Sequence, residues 1–268
     1  MTNPPRRPTA FVLASTDHGS MLVNRHDYRT TPGGTYGVGY QLLETSSFDA
    51  DEVSFALQLL ESRRRNYGDG VIAIDCGANV GVHTIEWARC MHGWGDVLAF
   101  EAQERIFYAL AGNLTMNNCF NARAIWAAVG AANGTLKVPV PDYFVPSSFG
   151  SLELRQSPTT EFIGQHIDYS DAATQTVQMM AIDALGLPRL DLVKIDIEGM
   201  EMEALLGARA SIARFTPLLL IEKIKSNEEA IVAFVTELGY RVLPLGINIL
   251  AVHASDPIAD ELQHACGQ

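Results

Sequence analysis

Val71-Ile-Ala-Ile-Asp-Cys-Gly-Ala-Asn-Val-Gly81 is the stretch on which the fold turns. Four apolar residues stop at an acid, and two glycines lead into the helical spacing of residues 80–91. A short apolar strand, a glycine turn and a helix make the first half of a βαβ unit. Outward from it the alternation repeats. Residues 97–100 read as a strand, 104–117 as a helix and 124–126 as a strand. Residues 192–196 read as a strand, 200–214 as a helix and 218–221 as a strand. Ser226 with Glu229 opens a capped helix that runs to Leu238 before Gly239. Residues 240–243 and 249–252 then form a hairpin around Gly246. Strands that alternate with helices predict a doubly wound α/β fold with a mostly parallel sheet. Their unbroken apolar runs predict cover on both faces.

The flanking sequence is less regular. Residues 1–10 are proline-rich and read as loose. Residues 11–48 give a few short strands and a glycine-rich turn. Asp49 and Glu52 resemble a capping box, and Val53, Ala56, Leu57 and Leu60 continue at helical spacing to Tyr67-Gly68. This divides the chain into an N-terminal α+β extension, 1–68, and a main domain, 69–268. Residues 131–180 carry Pro139, Pro141, Pro146 and Pro158 before a strand at 176–179. A segment such as 139–175 is too long for a plain connection and reads as a substrate loop.

The bulk numbers limit the classes of function. A length of 268 residues, 47% hydrophobic and 19% charged, fits one large α/β domain with additions. The net charge of −12 disfavours nucleic acid as a partner. The one dense basic run, Arg63 to Arg65, falls at a helix end, where cations favour the helix dipole. Cys76, Cys90, Cys119 and Cys266 are scattered, without a C-x-x-C pair or zinc spacing, as in a reduced cytoplasmic protein. The apolar run 11–14 is too short for a signal-peptide core, and no window approaches the ~18 residues of a membrane helix. A G-x-S-x-G elbow and a P-loop are both absent from the sequence.

Ligands of such sheets bind beyond the carboxyl ends of the strands, at the switch point. The loop after the first strand is not G-x-G-x-x-G, because Asp75 stands where the first glycine would. Asp75 repels a pyrophosphate and suits a cationic, amino-acid-like ligand with hydroxyls; the amino group of S-adenosylmethionine is of that kind. Glu101 ends the second strand, 20 residues after Gly81, where a carboxylate accepts hydrogen bonds from ribose hydroxyls, as it also would at an NAD site. Alternation places Lys194, Asp196 and Glu198 on one face at the fourth strand's end. They suit a general base, magnesium ligands, or a Lys194–Asp196 ion pair with Glu198 and Glu201 at a helix N-terminus. Glu222 either adds a third carboxylate or pairs with Lys223 or Lys194. His83 either touches the ligand or only the helix surface, and His253 has no evident partner.

Three stretches, Ile74-Asp-Cys-Gly-Ala-Asn-Val-Gly81, Ala99-Phe-Glu-Ala102 and Val193-Lys-Ile-Asp-Ile-Glu-Gly-Met-Glu201, resemble the FkbM family of S-adenosylmethionine-dependent methyltransferases. Weaker echoes are Asn113 with Asn117, Ala128 to Gly130, Ile182 to Leu185, Leu205 to Ala208, and Ile221-Glu222. The resemblance implies the Rossmann-like, seven-stranded class I methyltransferase sheet, with its last strand inserted antiparallel. It implies that Asp75, Gly77, Ala78, Asn79 and Gly81 hold the methionine part of the cofactor and that Glu101 holds the ribose. Ala102, Ala127 and Ala128 would line the nucleoside, and Asp196 and Glu198 would lie beside the methyl group. Ala102-Gln103 departs from the family, which commonly has proline after the acid.

The activity implied is O-methylation of a hydroxyl on a small molecule, sugar or secondary metabolite. Asp196 would act as base or orient the acceptor, supported by Lys194, Glu198 and Glu222. A divalent metal, if used, would sit on the same carboxylates, and the sequence offers no separate metal-ligating set. The rivals are an NAD-dependent oxidoreductase and a non-catalytic cofactor-binding module. Residues before 70 and in 139–175 match nothing in the family, and substrate choice is expected there. Neither the acceptor nor the oligomeric state is legible.

Overall fold

The computed structural model describes residues 8–259. Cys266 and the first seven residues lie outside that range. Two antiparallel hairpins come first, β1 (Phe11–Thr16) with β2 (Gly19–Asn24) and β3 (Arg29–Thr31) with β4 (Gly34–Tyr36). Helices α1 (Val38–Thr45) and α2 (Ala50–Tyr67) follow. The main sheet is then built from β5 (Val71–Cys76), α3 (Val82–Cys90), β6 (Gly95–Glu101), α4 (Glu104–Met116) and β7 (Ala122–Trp126). A side sheet in the order β8-β10-β9 interrupts it, made of β8 (Ala128–Val129), β9 (Gly134–Pro139) and β10 (Thr174–Met180). The main sheet resumes with β11 (Leu192–Ile195), α5 (Glu201–Leu206), α6 (Arg209–Phe215) and β12 (Leu218–Glu222). It ends with α7 (Glu228–Glu237), β13 (Tyr240–Leu245) and β14 (Asn248–His253).

The main sheet has seven strands in the order β13-β14-β12-β11-β5-β6-β7. β7, β6, β5, β11 and β12 are parallel, and β14 is inserted antiparallel between β12 and β13. The expected doubly wound fold with a terminal antiparallel hairpin is therefore present. Strand order reverses between β5 and β11, which opens a crevice at their carboxyl ends.

Alternation along the strands feeds two cores. Ala73, Val97 and Leu192 pack with Ile85 and Trp87 of α3 and Leu59 of α2 on one face. Ile74, Phe100 and Val193 pack with Ala204 of α5, Ile212 of α6 and Phe234 of α7 on the other. Each fully buried Leu or Ile contributes roughly 1.5–3 kcal/mol, so both faces are sealed and the sheet opens at its strand ends. The N-terminal extension shares the first core through Met21, Val23, Leu42 and Val53. Asn113 of α4 ties it down, bonding the amide and carbonyl of Leu22 and the carbonyl of Val80. Among the described residues, no helix is long and apolar enough to cross a membrane.

Four local expectations are corrected. The helix expected over 200–214 is two helices, because Gly207 lies against the carbonyl of Gly130; a Cβ there would stand 2.1 Å from that oxygen. The final helix is capped by Asn227, whose side chain accepts from Ala230 N. Ser226 instead donates to Glu201. Asp49 precedes α2 in a left-handed conformation and makes no side-chain cap, because its carboxyl and that of Glu52 turn toward the crevice. Arg63 is not a solvated helix-end cation. It is 4% exposed and pairs with Asp191 and Asp256 beneath the sheet.

Candidate active site

A cavity of about 280 Å³ lies at the switch point. Its wall includes Asp75, Gly77, Ala78, Asn79, Gly81, Glu101, Ala102, Ala127, Ala128, Lys194, Asp196, Glu198 and Glu222. Every residue singled out in the sequence for cofactor or chemistry therefore faces one space. The extension adds Tyr36, Gln41, Asp49 and Glu52, and the insertion adds Ser148, Gly150, Ser151, Leu152 and Leu154.

The glycine loop is built to approach protein rather than ligand at its first glycine. Gly77 has φ +81°, and a Cβ on it would stand 1.8 Å from the carbonyl oxygen of Asp196. The loop's amides are consumed internally. Gly77 N and Ala78 N donate to Phe100 O, Asn79 N to Glu101 Oε2, Val80 N to Asn79 Oδ1 and Gly81 N to Ala78 O. A pyrophosphate cradle needs such amides free. Asp75 is 1% exposed. Its Oδ2 accepts from Thr84 Oγ1 at 2.6 Å, while Oδ1 has no partner. A buried carboxylate oxygen left bare costs free energy unless a donor meets it. An ammonium entering the cavity would be such a donor, so the residues present fit the amino-acid end of S-adenosylmethionine.

Glu101 is 6% exposed. Its two oxygens accept from Asn79 N at 3.0 Å and Gln103 N at 2.8 Å, leaving lone pairs for two further donors. Burial raises its pKa to about 7, against the pull of those backbone bonds. Gln103 in turn bonds Phe149 O and the hydroxyl of Tyr143, which joins the Glu101 side of the cavity to the insertion.

Across the cavity, Lys194 Nζ lies 2.7 Å from Asp196 Oδ2. Burial alone would lower the lysine, but Asp196, Asp75 and Glu52 together push it well above its ordinary range. The ion pair read as an alternative in the sequence is present, and Asp196 still presents 35% of its side chain. Glu198 follows in a left-handed conformation, φ +57°. Its Oε2 is 2.7 Å from Lys225 Nζ, an ion-pair contact without hydrogen-bond alignment. Glu201 holds this loop from below, accepting from the amides of Ile197 and Gly199. Glu222 pairs with neither lysine proposed for it, since Lys223 goes to Glu228. Asp196, Glu198 and Glu222 each offer an oxygen within 4.8 Å of the others. That is an oxygen set suited to a divalent cation, into which Lys194 and Lys225 already deliver two positive charges. Burial raises Glu198 to about 8 against the pull of Lys225, with Asp196 and Glu222 adding to the rise, and burial followed by Asp196 raises Glu222 to about 8.

Sequence reasoning missed the far wall. Glu52 Oε1 is 3.2 Å from His83 Nε2, and Glu52 Oε2 accepts from Asn248 Nδ2 at 2.6 Å. Burial works against the ionised Glu52, but His83, Lys194 and Asn248 outweigh it and lower its pKa. His83 is thus buried and on the cavity wall, whereas His253 lies away from it, bonded to Ser255. The partners of Glu52 lie 31 and 196 residues onward, so no local spacing signals them.

Residues 75–242 match the family described as the methyltransferase FkbM domain. Methyltransferase 1 of Beauveria bassiana is 25% identical over 153 residues, covering 53% of this chain and 59% of that protein. Methyltransferase sdnD of Sordaria araneosa is 26% identical over 155 residues, covering 50% and 59%. The chain thus spans 59% of the length of either curated relative. Among solved structures, methyltransferase FkbM from Methylobacillus flagellatus KT superposes with a TM-score of 0.47 at 18% identity, over 69% of this chain and 43% of that one.

Proposed function

This chain belongs to the FkbM methyltransferase family, and we propose that it transfers the methyl group of S-adenosylmethionine to a hydroxyl of a small acceptor. The observation that carries the cofactor reading is the glycine loop. Its amides are all spent inside the protein, and Asp75 Oδ1 is bare and buried beside it. Such a loop suits an ammonium and disfavours a dinucleotide pyrophosphate, against the oxidoreductase alternative.

When bound, the cofactor supplies an electrophilic methyl group. The chain's part is to hold an acceptor hydroxyl in line with it, exclude water and take the proton. Asp196, fixed by Lys194, orients the hydroxyl. Glu222, raised to about 8, takes up the proton near neutral pH, where a base with a matched pKa works best. Glu198 supports both. Seven carboxyl groups and a single lysine line the cavity, which favours a neutral or cationic acceptor over a phosphorylated one or a nucleic acid.

Calorimetric titration with S-adenosylhomocysteine, with NADH in parallel, tests the reading. Micromolar binding of the nucleoside product, lost in Glu101→Ala, is expected. Binding of NADH in its place would transfer the site to the oxidoreductase class, and turnover of no acceptor despite tight cofactor binding would favour a non-catalytic module.

A further inference from the structure

S-adenosylmethionine and S-adenosylhomocysteine share an adenosine, an ammonium and a carboxylate. They differ by one methyl group and one positive charge at sulfur. Asp75 and Glu101 meet parts common to both, so they cancel from a comparison of the two. The remaining charged groups of the cavity do not cancel. α2 contributes Asp49 and Glu52, faced by His83 of α3. β11 contributes Lys194 and Asp196, joined to each other, and its following loop Glu198, joined to Lys225. Lys225 is shared with Glu161 of the insertion, and Glu201 is spent on the loop amides below. β12 contributes Glu222, which has no ion pair or hydrogen bond among the described residues. Two ammoniums and one imidazole therefore face more carboxyl groups than they can neutralise, in a space shielded from bulk water.

Resting on that reading of the cavity, we infer that the carboxylates at the ends of β11 and β12 make the site selective for charge at sulfur, so that S-adenosylmethionine binds more tightly than S-adenosylhomocysteine. The transferred methyl takes the positive charge away with it, and the product then loses the attraction that held the cofactor. Glu222 is the principal contributor, because Asp196 and Glu198 each already hold an ammonium.

Titration calorimetry of the full chain with each ligand at about pH 8.5 reads this directly. S-adenosylmethionine should bind on the order of tenfold tighter than the product. Glu222→Gln should collapse the ratio while product affinity stays within about threefold. Equal affinities for the two ligands, or a ratio that Glu222→Gln leaves unchanged, would overturn the inference even though both ligands bind. Binding of neither to folded protein would instead overturn the cofactor reading beneath it.

Discussion

The carbonyl oxygen of Asp196 stands where a Cβ on Gly77 would be, 1.8 Å from that point. Asp196 N also donates to Cys76 O at 3.1 Å. The glycine loop and the loop that carries the carboxylates are thus packed backbone to backbone, and neither can shift alone. Gly77→Ala meets both this contact and φ +81°. The left-handed conformation costs an alanine about 1–2 kcal/mol, and relieving the overlap displaces Asp196. Lower thermal stability and at least a ~10-fold weaker affinity for S-adenosylhomocysteine are expected, read by thermal unfolding and calorimetry. Unchanged affinity would show that the two loops are independent.

Asp196→Asn separates chemistry from binding. The carboxamide keeps the shape but neither attracts Lys194 nor orients a hydroxyl as an anion. Methyl transfer should fall by roughly 10²–10⁴-fold, with cofactor affinity within about threefold of wild type. Full activity with an intact cofactor site would remove Asp196 from the reaction.

Asp27 gives the protein a stability term that weakens as pH rises. The residue is 2% exposed and accepts from Gly39 N and Phe149 N, tying the extension to the cavity wall. Burial raises its pKa from 3.8 to about 6, despite those two bonds. A raised folded-state value means that its contribution is complete below about 3.8 and lost as pH climbs through about 6, an effect on the order of 3 kcal/mol. Asp27→Asn removes the titration and one amide acceptor, costing about 1–3 kcal/mol. Urea unfolding across this range should show the wild type's advantage largest at the acid end. A constant difference would mean that Asp27 does not titrate there.

Lys225 is the strap between the insertion and the carboxylates. Its Nζ reaches Glu198 Oε2 at 2.7 Å, Glu161 Oε2 at 3.1 Å and Ser151 O at 2.8 Å. Glu161 continues the chain to Arg29 and Tyr36 of the extension. Lys225→Met should speed limited proteolysis within the insertion several-fold, because opening of that segment loses its anchor. Glu161→Gln should act in the same direction. Cleavage at the wild-type rate in both would show that the segment is held elsewhere.

Much of the fold and half of the site were legible because they are written locally. The strands of the main sheet are apolar runs between turn residues. The glycine loop is a short motif at a strand end, and Glu101 and Asp196 end strands of their own. Where side chains were asked to do local work, the reading failed. Spacing makes Asp49, Glu52 and Ser226 read as caps, yet Glu52 serves His83, and Ser226 serves Glu201. Arg63 belonged by sequence to a surface run and by structure to a buried pair with Asp191, 128 residues away.

Local sequence dictates the βαβ alternation, the closing hairpin, the glycine loop and the acids at the strand ends. Periodicity and backbone conformation depend on near neighbours, so a linear chain records them. Three-dimensional packing sets which carboxyl groups share a cavity, which are neutralised by Lys194 and Lys225, and which, like Glu222, are left unpaired among the described residues. Those outcomes depend on burial and on charges brought together from α2, α3, β11, β12 and the final hairpin. Desolvation and Coulomb interaction act through space, and no spacing along the chain records them.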